Sequence, residues 1–510
     1  MHEDKPTLKS LCYPTKYKLL PSQKEVAKIM QKQNGLLVYH KVGAGKTCAA
    51  IQAAEKWKDR RKIIVVTAAS LIDSFYRELR TRCVKDGVYV YRKERKILEK
   101  QTKKYDEVVQ TINKRIDKVY NIYSYHNFVT HVDEIDLRRS ILVIDEVQNI
   151  VSFTGKFYKK IYEAILSAPA SLRVVLLSAT PISDQPAELG LTLNLLRPPK
   201  PFPMKKSEFE HLFLRKQDSG SYRVKNLRLF KSMAKGLISY NAGANRIAFP
   251  SKKIYYVRCK MTSYQYKCYR TVYTKEGPFR TGDILNLSNQ FYMGCRMLSN
   301  VAFPEHATKS SGLKRLAKKH LQMQQIKKVY SPKFYRIVKS IKACHGPVFV
   351  YSTFKGPAGV EGLVKILNAQ GYKNYYQYGT GIKRYAVWTG ETPTKHRIKL
   401  LTEFNKYNNR RGNKIKVIFG TPAMKEGVSL KRVRQVHITE PHWNHARLVQ
   451  VMGRAVRFCS HKDLPYNERK VDIYIYISTY PREEIVDEYI HELANKKDKL
   501  NRKFLRIFEK

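Results

Sequence analysis

Short apolar runs alternate along this chain with longer segments that have the period of a helix. The runs predicted as strands are 35–39, 62–66, 140–144 and 173–177 in the first half, and 346–351, 416–420, 434–439 and 471–479 in the second. A helix is predicted at 46–58, after the first strand and a glycine-rich turn. Strands that alternate with helices in this way are typical of α/β folds with parallel sheets.

The strand-like runs fall into two groups, which predicts a chain of several domains. A proline-rich segment, 197–204, ends the first group, and no clear strand is predicted between residues 264 and 335. The basic run 314–328 is predicted to be helical. The predicted organisation is a first α/β lobe at 1–200, a basic linker and helical insertion at 201–335, a second α/β lobe at 336–490 and a basic C-terminal helix at 491–510.

Composition narrows the class of protein. The 510 residues include 97 Lys and Arg against 42 Asp and Glu, a formal net charge of +55. With 43% hydrophobic and 11% aromatic residues the chain can bury a core, which excludes a disordered basic tail. The charge favours a polyanionic partner such as nucleic acid. No apolar run approaches the ~20 residues of a membrane helix, so we expect a soluble protein with no membrane partner.

Cysteine usage bears on the redox setting. The eight cysteines include no pair at C-x-x-C spacing, which argues against a zinc ribbon or a redox motif. A disulfide framework is not expected in so long and cysteine-poor a chain, which points to a reducing compartment.

A phosphate-binding loop is predicted between the first strand and its helix. Gly43 and Gly45 allow the backbone to turn so that its N–H groups point at phosphate oxygens. Lys46 adds a charge for the β- and γ-phosphates, and Thr47 places a hydroxyl on Mg²⁺. His40 stands where a strict G-x-x-x-x-G-K-[ST] motif has glycine. A chance glycine-rich turn is the alternative, but the strand before and the helix after are what the motif requires.

An acidic pair follows the strand predicted at 140–144. Asp145 is expected to hold Mg²⁺ and Glu146 to polarise the attacking water, because buried carboxylates are costly unless they are used or paired. A solvated loop pair is the alternative. Ser178 and Thr180, near the end of the next strand, could link the nucleotide to a second site.

These residues together resemble the core of superfamily 2 helicases and translocases. In that family the loop around Lys46 is motif I, Asp145 to Gln148 motif II, and Ser178 to Thr180 motif III. The resemblance implies two tandem RecA-like lobes with parallel sheets. It also implies ATP and Mg²⁺ as ligands, with nucleotide contacts from Gln23, Gly43, Ala44, Gly45, Lys46, Thr47, Cys48, Gly427 and Gln450.

The second half carries the remaining motifs of the family. The run 450–457 fits Q-x-x-G-R-x-x-R, whose arginines reach the γ-phosphate in the family. The resemblance implies catalytic roles for Lys46, Asp145, Glu146, Gln148, Arg454 and Arg457. Gln148 replaces the usual histidine of motif II. The coupling between ATP and the nucleic-acid strand could therefore differ from that of the family.

Contacts to the nucleic-acid backbone are implied for Ser70, Thr353 and Thr421, at the positions of motifs Ia, IV and V. The basic runs 314–328 and 496–510 are predicted either as tracks for DNA or as solvated helix faces, and both alternatives stay open.

Several stretches of the second half resemble the transcription-associated ATPases of large DNA viruses. That group includes poxvirus nucleoside triphosphate phosphohydrolase I and the small subunit of the early transcription factor. The segments that carry this resemblance are 426–437, 440–444, 453–457 and 460–464.

The resemblance implies a nucleic-acid-dependent ATPase that couples ATP hydrolysis to movement on DNA, in the initiation or termination of early viral transcription. It implies DNA or RNA as the bound partner, and the virion and the host cytoplasm as the location. A viral RNA polymerase or a transcription factor subunit is the implied protein partner. An RNA helicase, or a basic virion nucleic-acid-binding protein with a vestigial ATPase core, is the alternative.

Overall fold

The computed structural model describes residues 7–12, 19–81, 83–85, 87–100, 104–153, 155–218, 220–279, 285, 291–304, 310–424 and 428–509. The chain forms two compact units, one of Met1–Asn245 with Lys499–Lys510 and one of Arg246–Asp498. The predicted boundary at residue 200 falls inside the first unit and that at residue 335 inside the second. The four-part organisation stays a prediction.

The first unit is an α/β structure. Its strands are β1 (Gly35–His40), β2 (Lys62–Thr67), β3 (Tyr120–Ser124), β4 (Ser140–Ile144), β5 (Arg173–Ser178), β6 (Leu214–Lys216), β7 (Tyr222–Val224) and β8 (Ile238–Asn241). Its helices are α1 (Leu8–Cys12), α2 (Pro21–Lys32), α3 (Lys46–Glu55), α4 (Ile72–Thr81), α5 (Arg92–Lys100), α6 (Tyr105–Asp117), α7 (Tyr125–His131), α8 (Lys156–Ser167), α9 (Ala187–Asn194), α10 (Lys206–Phe213) and α11 (Leu227–Met233).

Six strands of the first unit form a parallel sheet in the order β3-β2-β4-β5-β1-β8. Every residue of β1, β4 and β5 is buried. Continuous apolar runs of this kind are typical of parallel strands that are covered on both faces. Helix α3 packs its alanine-rich side, including Ala50 and Ile51, into the same core.

The second unit is also an α/β structure. Its strands are β9 (Ser251–Lys260), β10 (Val348–Tyr351), β11 (Lys373–Asn374), β12 (Arg384–Trp388), β13 (Val417–Gly420), β14 (Gln435–Ile438) and β15 (Lys470–Thr479). Its helices are α12 (Ser263–Glu276), α13 (Met293–Asn300), α14 (Ser310–Arg315), α15 (Met323–Gln325), α16 (Pro332–Ala343), α17 (Val360–Ala369), α18 (Tyr375–Tyr378), α19 (Thr394–Phe404), α20 (His445–Met452) and α21 (Val486–Leu505), whose residues from Lys499 belong to the first unit.

The seven strands of the second unit form another parallel sheet, in the order β11-β12-β13-β10-β14-β15-β9. Strands β10 and β13 are fully buried. All eight strands predicted from the apolar runs are present, within two residues of the predicted bounds. The predicted α/β class with two parallel sheets is therefore confirmed.

The basic insertion is helical but broken. The run 314–328, predicted as a helix, is instead spread over the end of α14, a 3₁₀ turn at Lys318–Leu321, the single turn α15 and a π-helical turn at Ile326–Tyr330. Leu313, Leu321 and Ile326 are buried in the core of the second unit. Their spacing does not follow one helical face, which explains the breaks. No strand occurs among the described residues between 264 and 335.

A search of the described helices for a membrane span is negative, since none is both long and apolar enough to cross a bilayer.

Parallel strands bring the residues that follow them to one edge of the sheet. In the first unit this edge receives the segments after β1, β2, β4 and β5, and in the second unit those after β10, β13 and β14. The carboxyl edge of an open parallel sheet is where α/β proteins bind ligands.

Candidate functional site

The loop between β1 and α3 has the backbone of an anion cradle. Gly43 and Gly45 have φ angles of 86° and 71°, in the left-handed region that glycine adopts most easily. The N–H of Ala44 donates to the carbonyl of Lys41 at 3.2 Å, which tightens the turn. Lys46 then begins α3, so its charge and the free N–H groups of a helix N-terminus meet at one place. This arrangement suits a phosphate group.

Gln23 lies against this loop. Its side-chain Nε2 donates to the carbonyl of Gly45 at 3.2 Å, and its Oε1 accepts from the N–H of Leu20 at 2.9 Å. A Cβ at position 45 would come within 2.3 Å of the same Nε2. Glycine is therefore required here for two reasons, the positive φ and the close approach of Gln23.

His40, at the first position of the loop, is buried and neutral. Its Nε2 lies 3.1 Å from the hydroxyl of Ser239 on β8. Burial, together with the nearby charge of Lys46, lowers the pKa of His40 from 6.5 to about 4. A neutral ring on β1 explains how the loop begins with histidine without adding a charge to the core.

The acidic pair follows β4 in a strained turn. Asp145 is 8% exposed, and its N–H donates to the carbonyl of Val66 on β2 at 2.9 Å. Glu146 has a φ of 50°, which is uncommon for a residue with a side chain. The hydroxyl of Tyr125, on α7, donates to the carbonyls of both acidic residues, 3.2 Å away in the case of Glu146. Tyr125 thus supports the turn in which Glu146 has a positive φ.

Gln148 links this turn to the end of β5. Its Nε2 donates to Oε2 of Glu146 at 2.7 Å, and its Oε1 accepts from the hydroxyl of Ser178 at 2.6 Å. The N–H of Thr180 in turn donates to the Ser178 hydroxyl at 3.0 Å. The fold therefore joins predicted motifs II and III by a chain of hydrogen bonds, with the amide in the place of the usual histidine.

The side-chain oxygens at the carboxyl edge of the first sheet fit a nucleotide with bound Mg²⁺. Thr47 is half-buried in the first turn of α3, and Asp145 follows β4, with β5 as the strand between β4 and β1. A hydroxyl and a carboxylate are oxygen ligands of the kind Mg²⁺ prefers. Ser70, predicted to contact nucleic acid, is exposed in a 3₁₀ turn after β2.

A further side chain near the phosphate loop, that of Glu509, is not predicted from the sequence. Glu509 accepts hydrogen bonds from the hydroxyl of Tyr39 at 2.6 Å and from Nζ of Lys41 at 2.9 Å. Burial alone would raise the pKa of Glu509, but these two hydrogen bonds and the charges of Lys41 and Arg502 together lower the pKa below its ordinary value. Phe504 anchors this C-terminal segment against Phe230 in the first unit. At least part of the basic run 496–510 is therefore packed against the protein.

Cys48, directly after Thr47, forms a disulfide with Cys83. This bond departs from the expectation of a chain without a disulfide framework. The reason is that spacing along a sequence says nothing about two cysteines that the fold brings together from α3 and the end of α4.

In the second unit the predicted motif VI residues lie on α20 and directly after it. Gln450 is half-buried on the helix, and Arg454 is 8% exposed just after it. The carbonyl of Arg454 accepts from the N–H of Leu430 at 2.9 Å, and Nη1 of Arg457 donates to the carbonyl of Val428 at 3.1 Å. The backbone after motif V and the two arginines thus form one local assembly.

In the second unit, the residues predicted to contact nucleic acid form hydrogen bonds within the protein. The N–H of Thr353 donates to the carboxylate of Glu440, and the hydroxyl of Ser352 lies 3.1 Å from the same carboxylate. Thr421 is 5% exposed, and its hydroxyl donates to the carbonyl of Trp388 at 3.3 Å. Gly427 lies outside the described residues. The roles of these residues toward nucleotide and nucleic acid stay predictions.

The parallel sheets, the glycine cradle and the acidic pair define a P-loop protein of the helicase type. Comparison with known proteins gives the family: the model of the SNF2-related domain matches residues 23–327, and that of the helicase conserved C-terminal domain matches residues 335–459. The chain belongs to the SNF2-related family of superfamily 2.

Relatives of this chain include proteins of large DNA viruses, which confirms the predicted resemblance. A protein of Acanthamoeba polyphaga mimivirus, named "Putative ATP-dependent RNA helicase R563", is 41% identical over 93% of this chain and 85% of its own length. The "Termination factor NPH-I homolog" of African swine fever virus is 24% identical over 93% of this chain and 75% of its own length. The SWI2/SNF2 ATPase core of Sulfolobus solfataricus, solved with dsDNA, has 17% identity over 98% of this chain and 96% of that chain, but a TM-score of 0.35, too low to carry an argument.

Proposed function

We propose that this chain is a nucleic-acid-dependent ATPase that couples ATP hydrolysis to movement on DNA, in the initiation or termination of early viral transcription. One observation carries the proposal. Gln148 joins the carboxylate of Glu146 to the hydroxyl of Ser178 by hydrogen bonds of 2.7 and 2.6 Å. A residue that orients water in hydrolysis is thereby tied to a second segment of the protein, as an ATP-driven motor requires.

In the proposed reaction the cradle and Lys46 bind the β- and γ-phosphates. Thr47 and Asp145 would hold Mg²⁺, which neutralises charge on the phosphate oxygens when it is bound. Glu146 would orient the attacking water and accept its proton. The amide of Gln148 keeps one carboxylate oxygen of Glu146 in place.

Arg454 and Arg457 are proposed to stabilise the negative charge that develops on the transferred phosphoryl group. Arginines in this role are typically worth about 10³–10⁵ in rate. The charge of +55 supports a polyanionic partner, whose phosphates would be held largely by Lys and Arg. The name of the African swine fever virus relative, a termination factor homolog, supports a role in termination. A location in the virion and the host cytoplasm is part of the same proposal.

Replacement of Lys46 by alanine tests the site. We expect the variant to lose nucleic-acid-stimulated ATP hydrolysis by at least about 100-fold, because the charge on the transferred phosphates is no longer balanced. Salt-sensitive DNA binding should remain. The matched control is Lys56→Ala, which removes an exposed lysine just after the other end of α3. Full ATPase activity in Lys46→Ala would refute the site.

The same assay separates the candidate partners. Phosphate release is compared with single-stranded DNA, duplex DNA and RNA at two salt concentrations. An RNA helicase, the function suggested by the name of the mimivirus relative, is the second candidate and requires RNA to be the strongest stimulator. A basic virion protein with a vestigial core would bind all three without hydrolysis.

A further inference from the structure

A disulfide begins directly after the phosphate loop of the first unit, at Cys48, and no part of the proposed mechanism uses it. Cys48 and Cys83 are 35 residues apart in the sequence, and their Cα atoms lie 4.8 Å apart. We propose that this pair is a thiol–disulfide exchange site for low-molecular-weight thiols, and that its redox state sets the affinity of the enzyme for ATP. The second half of this proposal rests on the proposed function.

The environment of Cys48 suits exchange. It is half-buried in the first turn of α3, so it is the more accessible residue of the pair, and exchange depends on access to the sulfur that is attacked. Cys12 and Cys459 are also disulfide-bonded, whereas Cys259, Cys268, Cys295 and Cys344 are free. Three of them are buried, and burial raises the pKa of the Cys259 thiol to about 11, which makes it a poor nucleophile.

The environment of Cys83 sets the direction of the exchange. Cys83 is fully buried, so an incoming thiolate reaches the sulfur of Cys48 and not that of Cys83. Oε2 of Glu78 lies 3.6 Å from the sulfur of Cys83 and can accept a hydrogen bond from the thiol that is released there. The two sulfurs and a Glu78 oxygen all lie within 4.8 Å of one another.

The exchange can be written in two balanced steps with glutathione as the thiol. In the first, a glutathione thiolate attacks Cys48, a mixed disulfide forms, the Cys48–Cys83 bond breaks, and the sulfur of Cys83 takes up a proton. In the second, another glutathione thiolate attacks the glutathione sulfur of the mixed disulfide, glutathione disulfide leaves and Cys48 is released as a thiolate. The protein disulfide gains two electrons and the two glutathione molecules lose two. Glutathione disulfide drives the reverse reaction.

The disulfide connects the start of α3, next to the phosphate loop, to the segment around Cys83, which is held by hydrogen bonds. The N–H of Cys83 donates to the carbonyl of Glu78 at 3.0 Å, and its carbonyl accepts from the side chain of Gln52 on α3. With the bond intact, Cys48 and therefore the adjacent Thr47 are fixed to this segment. Two sulfurs bonded at ~2.05 Å must separate on reduction, and a shift of order 1 Å near reacting groups can cost up to about 10²-fold. Reduction should therefore weaken ATP binding.

The test uses the full chain equilibrated in glutathione buffers from reducing to oxidising. Alkylation followed by mass analysis of peptides reports the state of the pair, and ATPase assays with saturating DNA report KM and kcat. We expect the oxidised form to have a KM for ATP roughly 3–10-fold lower than the reduced form, with a smaller change in kcat. Cys83→Ser should have the KM of the reduced form in every buffer. Cys268→Ser, the control, should respond as the wild type does.

Two results would overturn the proposal: no Cys48–Cys83 bond in any buffer, or one KM in both states. If no form hydrolyses ATP, the proposed function fails by itself. Binding of a fluorescent ATP analogue to the oxidised and reduced chains then decides the inference independently. Equal affinities would refute it, and a tighter oxidised form would support it.

Discussion

The two units place polar residues at the same kind of sheet edge but use them differently. In the first unit the segment after β1 turns its backbone into a cradle, and Lys46 and Thr47 stay partly exposed beside it. In the second unit the segments after β10 and β14 turn inward. Ser352 and Glu440 are at most 3% exposed and are hydrogen-bonded to each other.

The inward-facing groups of the second unit belong to a larger buried network. The side-chain amide of Asn300 donates to Glu440 at 3.0 Å, and its carbonyl oxygen accepts from Nζ of Lys333 at 2.8 Å. Lys333 also forms an ion pair with Asp487 at 2.6 Å, with both side chains 1% exposed. Buried polar groups that satisfy one another rigidify a core and offer little to a ligand. At this edge of the second unit Ser352 and Glu440 are thus occupied by protein partners, whereas Lys46 and Thr47 of the first unit stay partly exposed beside the cradle.

The largest effect is expected on stability, from Lys333→Met, which breaks the buried network of the second unit. The change leaves Asp487 as a buried charge without its partner, which should lower the free energy of unfolding by about 3–5 kcal/mol in urea denaturation. Lys355→Met breaks an exposed ion pair with Glu391 and should cost less than about 1 kcal/mol. Equal losses in the two variants would show that the buried pair has no special structural role.

A smaller effect on stability is expected from His40→Asn. This variant tests whether His40 of the first unit is buried and neutral. Because the pKa of His40 is lowered from 6.5 to about 4, the unfolded chain binds more protons between these values. The contribution of His40 to stability is therefore present above pH 6.5 and is lost as the pH falls toward 4. Asparagine should remove this loss, which is on the order of 1–3 kcal/mol between pH 7 and 4. Denaturation of both chains across this range measures it, and unchanged pH dependence would contradict a neutral buried His40.

The smallest effect is expected from Gln148→Ala. Without the amide, Glu146 loses one of the groups that hold its carboxylate, and kcat for ATP should fall about 10-fold with little change in KM. Gln110→Ala, an exposed glutamine of α6, is the control and should hydrolyse ATP normally. A rise in KM at constant kcat would instead place Gln148 in nucleotide binding.

Most of the central sheets could be predicted because buried parallel strands leave a local signal. Strands such as β1 and β5 are covered on both faces, so nearly every residue is apolar. The strands that the pattern missed in the two large sheets include the edge strands β3, β8, β9 and β11. An edge strand is partly exposed and keeps polar residues, as in the run of lysines at the start of β9. β12 is the inner strand that escaped, and two of its residues, Arg384 and Val387, are only partly buried.

The sequence by itself determined the motifs whose residues lie close together along the chain. The glycine spacing of the phosphate loop, the acidic pair after β4 and the arginine pattern after α20 are local features, and they indicated the family that the comparison shows. Pairing between distant residues is not encoded in any such spacing. Only the tertiary structure joined Gln148 to Ser178, Gln23 to Gly45, Cys48 to Cys83 and Lys333 to Asp487. Each of these contacts forms because packing of helices and strands brings together side chains from separate segments.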